Sequence, residues 1–124
     1  MDKLLKYSVL KYVPSYTQSE QFVLGILFHD EELDYRKFQF RQDISHLLQL
    51  DSELDIELVK KLLHGIKEEV ESESPAKPFD IEDFTRFYLN AFRFTETKTI
   101  KYDVLEETIE SVAHSYLGLD STES

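Results

Sequence analysis

Cysteine is absent from the 124 residues, so no disulfide, thiolate nucleophile or cysteine-ligated zinc contributes, and stability rests on packing alone. Glycine and proline number only three each, too few for a collagenous or linker-like chain. The glycines stand apart at Gly25, Gly65 and Gly118, which excludes the clustered glycines that cradle phosphate in nucleotide-binding loops. No Gly-x-Ser-x-Gly element marks an activated serine. No apolar run approaches the roughly 18 residues that cross a bilayer. The opening Met1-Asp2-Lys3-Leu4-Leu5-Lys6 lacks the apolar stretch and small-residue cleavage site of a signal peptide, which predicts a cytoplasmic protein with no membrane partner.

What is present is globular composition: 41% hydrophobic and 31% charged residues. A chain of this length buries roughly two thirds of its extended surface around one core. The expectation is one domain over residues 1–119, followed by a frayed tail over 120–124.

Charge is in short supply on the basic side. The formal net charge is −11, and it is unevenly placed. Residues 1–50 carry six basic and seven acidic side chains, whereas residues 51–124 carry eight basic and eighteen acidic ones. A phosphate backbone is repelled by that second half, and no basic run studded with aromatics occurs, so direct nucleic-acid binding is not expected. Acidity of this kind serves as a solubilising surface or as the counterpart of a basic protein.

The pattern of apolar residues predicts an α+β fold. Leu4 to Val13 mixes β-branched and aromatic residues with polar ones and stops at Pro14, as a strand does on reaching a turn. Phe22 to Phe28 is apolar on both faces, the signature of a central strand, and Gly25 within it leaves room for another backbone or a ring. An acidic turn over His29-Asp30-Glu31-Glu32 leads to a third strand over Tyr35 to Phe40, giving an antiparallel meander. The period then lengthens towards 3.6. A short helix carries Ile44, Leu47 and Leu48 behind an Asp43 cap, and a longer one ending near Glu73 carries Leu58, Val59, Leu62, Leu63, Ile66 and Val70 on one stripe. After a loop over 74–78, Phe79 and Asp80 staple and cap a third helix whose buried face is Phe84, Phe87, Tyr88 and Ala91. Phe94 to Tyr102 reads as a fourth strand with a wet threonine face. Asp103 and Glu106 form a capping box for a last helix bearing Leu105, Ile109, Val112 and Tyr116 and closed by Gly118. The expected order is strand, strand, strand, helix, helix, helix, strand, helix, with the helices packed on an antiparallel sheet of about four strands.

The run Tyr7-Ser8-Val9-Leu10-Lys11-Tyr12-Val13-Pro14, a polar turn, and Glu20-Gln21-Phe22-Val23-Leu24-Gly25-Ile26-Leu27-Phe28 resembles the opening strand pair of the small bacterial domain-of-unknown-function family numbered thirty thirty-seven. The threonine-rich stretch leading into Asp103-Val104-Leu105-Glu106-Glu107 and a terminal helix is similar to the family's ending. The resemblance implies no catalytic residues. It implies a genomic setting beside kinases of the HipA type, hence an accessory or regulatory subunit of such a kinase, or of a bacterial toxin–antitoxin or phage-defence system.

Candidate chemistry is sparse. His29, Asp30 and Glu32, with Glu31, place an imidazole among carboxylates that could hold a divalent ion, although adjacent residues seldom converge and an acidic surface turn is the simpler reading. His64 and Glu68 share a helical face; His46 and His114 read as helix-surface residues. The function expected is therefore a non-catalytic protein-interaction or accessory subunit without a cofactor. Its contact residues would be drawn from Glu68, Glu69, Glu71, Glu73, Glu106, Glu107 and Glu110 and from Tyr12, Tyr16 and Tyr35. The alternatives are a small divalent-metal hydrolase or nuclease and an acidic mimic of nucleic acid, whose carboxylate rows Lys60, Lys61, Lys98 and Lys101 would interrupt.

Overall fold

The computed structural model describes residues 3–13, 21–50, 52–72, 81–86 and 92–118, with Leu50, Asp83, Phe84 and Arg86 described in their backbone only. Among the described residues five strands and four helices follow one another as β1 (Leu4–Tyr12), β2 (Phe22–Asp30), β3 (Tyr35–Phe40), α1 (Leu47–Leu50), α2 (Ile56–Val70), α3 (Ile81–Arg86), β4 (Phe92–Phe94), β5 (Lys98–Lys101) and α4 (Leu105–Leu117). The sheet is antiparallel throughout in the order β3-β2-β1-β4, and β5 pairs with the other end of β1. The α+β expectation holds, with a sheet of five strands where about four were expected.

Strand alternation sends side chains to opposite faces, and each face is covered by helix. On one face Leu10, Tyr12, Leu24, Leu27, Phe38 and Phe40 meet Ile44 and Leu47 before and within α1, Val59, Leu63, Ile66 and Val70 of α2, and Ile81 of α3. On the other, Leu5, Val9, Ile26 and Phe28 meet Ile109, Val112, Ala113 and Leu117 of α4. A bulge makes both cores compatible with one strand: Leu10 pairs with Gly25 but Lys11 with Val23, so Leu24 is an extra residue that shares the α2 face with Leu27, three positions on. Arg41 secures the bulge by donating from its backbone N–H to the Leu24 carbonyl (2.9 Å) and from Nε to the Val23 carbonyl (2.7 Å).

Gly25 sits where the sequence places it and for the expected reason. A Cβ there would lie 2.8 Å from the Gln39 carbonyl oxygen, 2.8 Å from Phe38 Cζ and 3.0 Å from Phe40 Cβ. The glycine lets β3 and its rings close against β2.

Several boundaries differ from the pattern. The β2 strand runs on through His29 and Asp30, which pair with Arg36 and Tyr35, so the acidic turn begins at Glu31. The stretch from Phe94 to Tyr102 is two strands, because Thr95 replaces regular pairing with its side chain: its Oγ1 accepts from Val9 N (3.0 Å), its N–H donates to the Val9 carbonyl (2.8 Å), and its carbonyl accepts from Ser8 Oγ (2.6 Å). The α2 helix ends at Val70, and its N-cap is Asp55, which accepts from Leu58 N (3.2 Å). Leu58 leaves the buried stripe and is 63% exposed, since the stripe of Val59, Leu63, Ile66 and Val70 lies one residue step round the helix. The capping box at Asp103 does not form. Val104, in extended conformation, is the N-cap residue of α4 and makes no side-chain cap, so the helix starts one residue later. The staple and cap at Phe79 and Asp80 and the residues Phe87, Tyr88 and Ala91 lie outside the described residues, as do the loop over 74–78 and the tail over 120–124. Among the described residues no helix is long and apolar enough to cross a membrane.

Candidate functional site

One end of the sheet is built around the turn from β2 to β3. Asp30 is buried, and its Oδ1 accepts from the backbone N–H groups of Glu32 (3.0 Å) and Leu33 (3.2 Å), an arrangement that folds the chain back on itself. Its Oδ2 accepts from the Tyr102 hydroxyl, which fixes the chain just before α4 against the turn. The same bond, followed by burial and the charges of Asp30 and Glu32, pushes the Tyr102 phenol up to about 12. Asp34 closes the turn with φ of 48°, a left-handed conformation that aspartate tolerates better than most residues. Beside it, His29 is buried with Nε2 3.4 Å from Asp34 Oδ1, and Arg36 spans from Asp34 (3.7 Å) to the Ser72 carbonyl (2.8 Å).

The C-terminal end of α2 closes the outer edge of β3. Glu71 Oε2 accepts from the backbone N–H of Phe38 (3.1 Å) and from Lys67 Nζ (2.8 Å), so a carboxylate occupies a position that an incoming strand would need. The first turn of α4 sets Glu106 and Glu107 at the same end. Tyr35 reports the gathering: its hydroxyl is pushed up by burial and then by the carboxylates of Glu71 and Glu106. Three large apolar side chains stand open among these acids, Leu33 at 66% exposure, Val104 at 50% and Tyr35 at 39%. Of the cations at this end, Lys6 pairs with Glu31 (2.8 Å) and Glu82 (3.5 Å) and Lys67 with Glu71, while Lys3, just before β1, and Lys101, at the end of β5 before Tyr102, are exposed residues. The bond to Glu31 is the largest cause raising the Lys6 ammonium above its ordinary value.

The structure brings together Tyr35, Glu71 and Glu106 with Glu107 from the residues expected to meet a partner. Glu68 and Glu69 are exposed on α2 and Glu110 on α4. Tyr12 is 3% exposed, its ring packed 5.3 Å from that of Phe92, so it serves the core and not a contact surface. Tyr16 and Glu73 lie outside the described residues. Of the metal candidates, Asp30 has both oxygens committed to the turn and Tyr102, His29 faces Asp34, and Glu32 is exposed. Among the described residues no three His, Asp or Glu side chains are grouped to hold a metal ion. His64 is exposed and meets Phe40 edge-on at 5.2 Å, and His46 stacks 6.4 Å from Phe22. Sequence reasoning passed over Leu33 and Val104, yet a lone leucine inside Glu31-Glu32-Leu33-Asp34 was the available sign, because a turn has no core to bury it.

No curated protein and no solved structure matches the chain. The family described as "Protein of unknown function (DUF3037)" matches over residues 7–117, which takes in the bulge between β1 and β2, the acidic turn and every described residue of the fold except 3–6 and Gly118. The chain belongs to the DUF3037 family.

Proposed function

We propose that the chain is a non-catalytic interaction subunit that docks a partner protein on the acidic end of its sheet. What carries this reading is the exposure of Leu33, Val104 and Tyr35 among the carboxylates of Glu31, Glu32, Glu71, Glu106 and Glu107. A rim of charge around a few large apolar groups, one of them a tyrosine, is how specific interfaces are composed: the apolar centre supplies affinity and the charges supply orientation and rate. The partner surface that fits is apolar with a basic surround. A kinase of the HipA type, or a component of a toxin–antitoxin or phage-defence system, is the partner class that the resemblance in sequence implies. The alternative of a metal-dependent hydrolase finds less support, since both oxygens of the buried Asp30 carboxylate are engaged in holding the turn and Tyr102.

The test is affinity capture from the native host with the intact chain and with a variant combining Leu33→Ser and Glu106→Lys, both at exposed positions. The wild-type chain retains a partner that the variant loses, and retention weakens as salt rises to physiological strength, where exposed charges are screened over about 8 Å. Equal retention by the folded variant would refute the assignment.

A further inference from the structure

The outer flank of α2 carries a glycine that the single chain does not explain. Gly65 lies within the helix, exposed, and a Cβ built on it meets nothing within 4 Å. Glycine inside a helix is destabilising relative to alanine. Neither a left-handed φ nor a crowding neighbour accounts for it here, in contrast to Gly118 and Gly25. Leu58, Leu62, Gly65 and Glu69 recur at helical spacing and form one line down the helix, beside the stripe that faces the sheet. Leu58 is 63% exposed, and Leu62 is half-buried against the core. The line is apolar and open towards the start of the helix and bare of side chain at Gly65. Packed helices lie about 8–10 Å apart according to the side chains between them, and a glycine at the crossing allows the closest approach.

The charges on the same flank indicate what crosses there. Lys61 and Glu68 stand two turns apart and only about 20° out of line, with Gly65 between them in sequence. Both are exposed, as is Glu69. Among the described residues none of these three is in an ion pair, whereas Lys60 pairs with Glu57 (3.5 Å) and Lys67 with Glu71 (2.8 Å). The midpoint between Lys61 and Glu68 falls between His64 and Gly65. A helix face with a base on one side of its glycine and an acid equally far on the other is complementary to itself turned end for end. In a two-fold antiparallel crossing at that point, Lys61 of each copy comes opposite Glu68 of the other, with Glu69 beside it.

We propose that a second copy of this chain docks on this flank, α2 against α2 in an antiparallel crossing centred on Gly65, with Lys61 paired to Glu68 across it and Leu58 and Leu62 of each copy covering its two ends. None of Leu33, Tyr35, Val104 and Glu106 belongs to the contact, so the inference does not depend on the docking surface described above. A single helix crossing falls at the small, transient end of interface sizes, so the association is weak. The net charge of −11 on each copy opposes it at low ionic strength. At physiological salt that long-range repulsion is screened beyond about 8 Å, and the charges that meet at the crossing decide the outcome.

Sedimentation equilibrium of the intact chain at physiological salt, over roughly 10 µM to 1 mM as a weak contact requires, shows a monomer–dimer equilibrium. Gly65→Gln places a good helix former at the crossing, so it weakens dimerisation about tenfold while raising the melting temperature of the dilute monomer. Lys61→Glu and Glu68→Lys each set like charges across the contact and weaken dimerisation about tenfold. Glu68→Lys does so although it lowers the net negative charge, which separates the local pair from general repulsion. Mixing the two singly substituted proteins, or combining both changes in one chain, restores association. A wild-type chain that stays monomeric over the whole range overturns the proposal and leaves the flank to a helix of another protein. Dimerisation that Gly65→Gln leaves unchanged, or that the folded double variant fails to restore, overturns it as well.

Discussion

At the scale of single residues, two positions carry consequences far beyond their size. Gly25 is the point where β2, β3 and the side chains of Phe38 and Phe40 converge, and the nearest atoms are a backbone oxygen, a ring carbon of Phe38 and the Cβ of Phe40, which have nowhere to go. Gly25→Ala is therefore destabilising by about 1–3 kcal/mol, as overpacked cores are, and a urea denaturation midpoint measures it. Tyr102 sets a pH dependence of known sign. Its hydroxyl donates to Asp30 in the folded state, so its folded value stands near 12, above the ordinary 10 of the unfolded chain. The stabilisation is complete below the unfolded value and is lost as pH climbs through the folded one, so stability falls between about pH 10 and 12. Tyr102→Phe removes that part of the alkaline decline, which chemical denaturation of the two proteins at pH 9 and 11 resolves. An equal decline in both would place the effect elsewhere, in Tyr35 or Tyr7, whose hydroxyls burial also pushes up.

At the scale of elements, the two edges of the sheet are protected by different means. The β5 edge carries Lys98 and Lys101 as exposed residues, and the β3 edge is closed by Glu71. Removing that carboxylate in Glu71→Ala leaves the Phe38 N–H without its acceptor and Lys67 without its partner, a loss of about 1–3 kcal/mol. It also opens a strand edge, so the variant self-associates with rising concentration, and light scattering detects it. Glu71→Gln keeps an acceptor and stays closer to the wild type. The element pattern itself was legible wherever one residue type decides the outcome: the alternation of β1, the doubly apolar β2, the glycine at the crossing and the stripe on α2. It failed where tertiary contact overrode local preference. Asp30 leaves the turn for the strand because Tyr102, 72 positions away, supplies its acceptor with a donor. The Asp103 cap yields to Val104, beyond the point where Tyr102 anchors the chain. The threonine-rich stretch breaks in two because Thr95 bonds to β1 through its side chain, which strand propensity does not encode.

At the scale of the whole molecule, charge is arranged along the strands and not between the halves of the sequence. The division into a balanced first half and an acidic second half was correct as arithmetic, but folding mixes the two. Glu31, Glu32 and Tyr35 from the first half join Glu71 and Glu106 from the second, and Lys11 from the first joins Arg93 and Lys98 from the second. A count along the chain cannot show this, because the antiparallel pairing of β1 with both β2 and β4 brings distant residues to one end. The net charge of −11 still acts on the molecule as a whole. Self-repulsion opposes the compact state, and salt screens it. Salt also weakens the exposed pairs, Lys6 with Glu31 and Lys60 with Glu57, but each such pair is worth only about 0.2–1 kcal/mol. Repulsion acts among all the surplus acids at once, so it outweighs the few pairs. The melting temperature accordingly rises between low salt and 0.15 M sodium chloride by about 4 °C for each kcal/mol of repulsion relieved, and then levels off. A scanning calorimetry series at fixed pH measures the rise; a fall over that range would mean that paired charges, and not the surplus of acid, govern the electrostatics of folding.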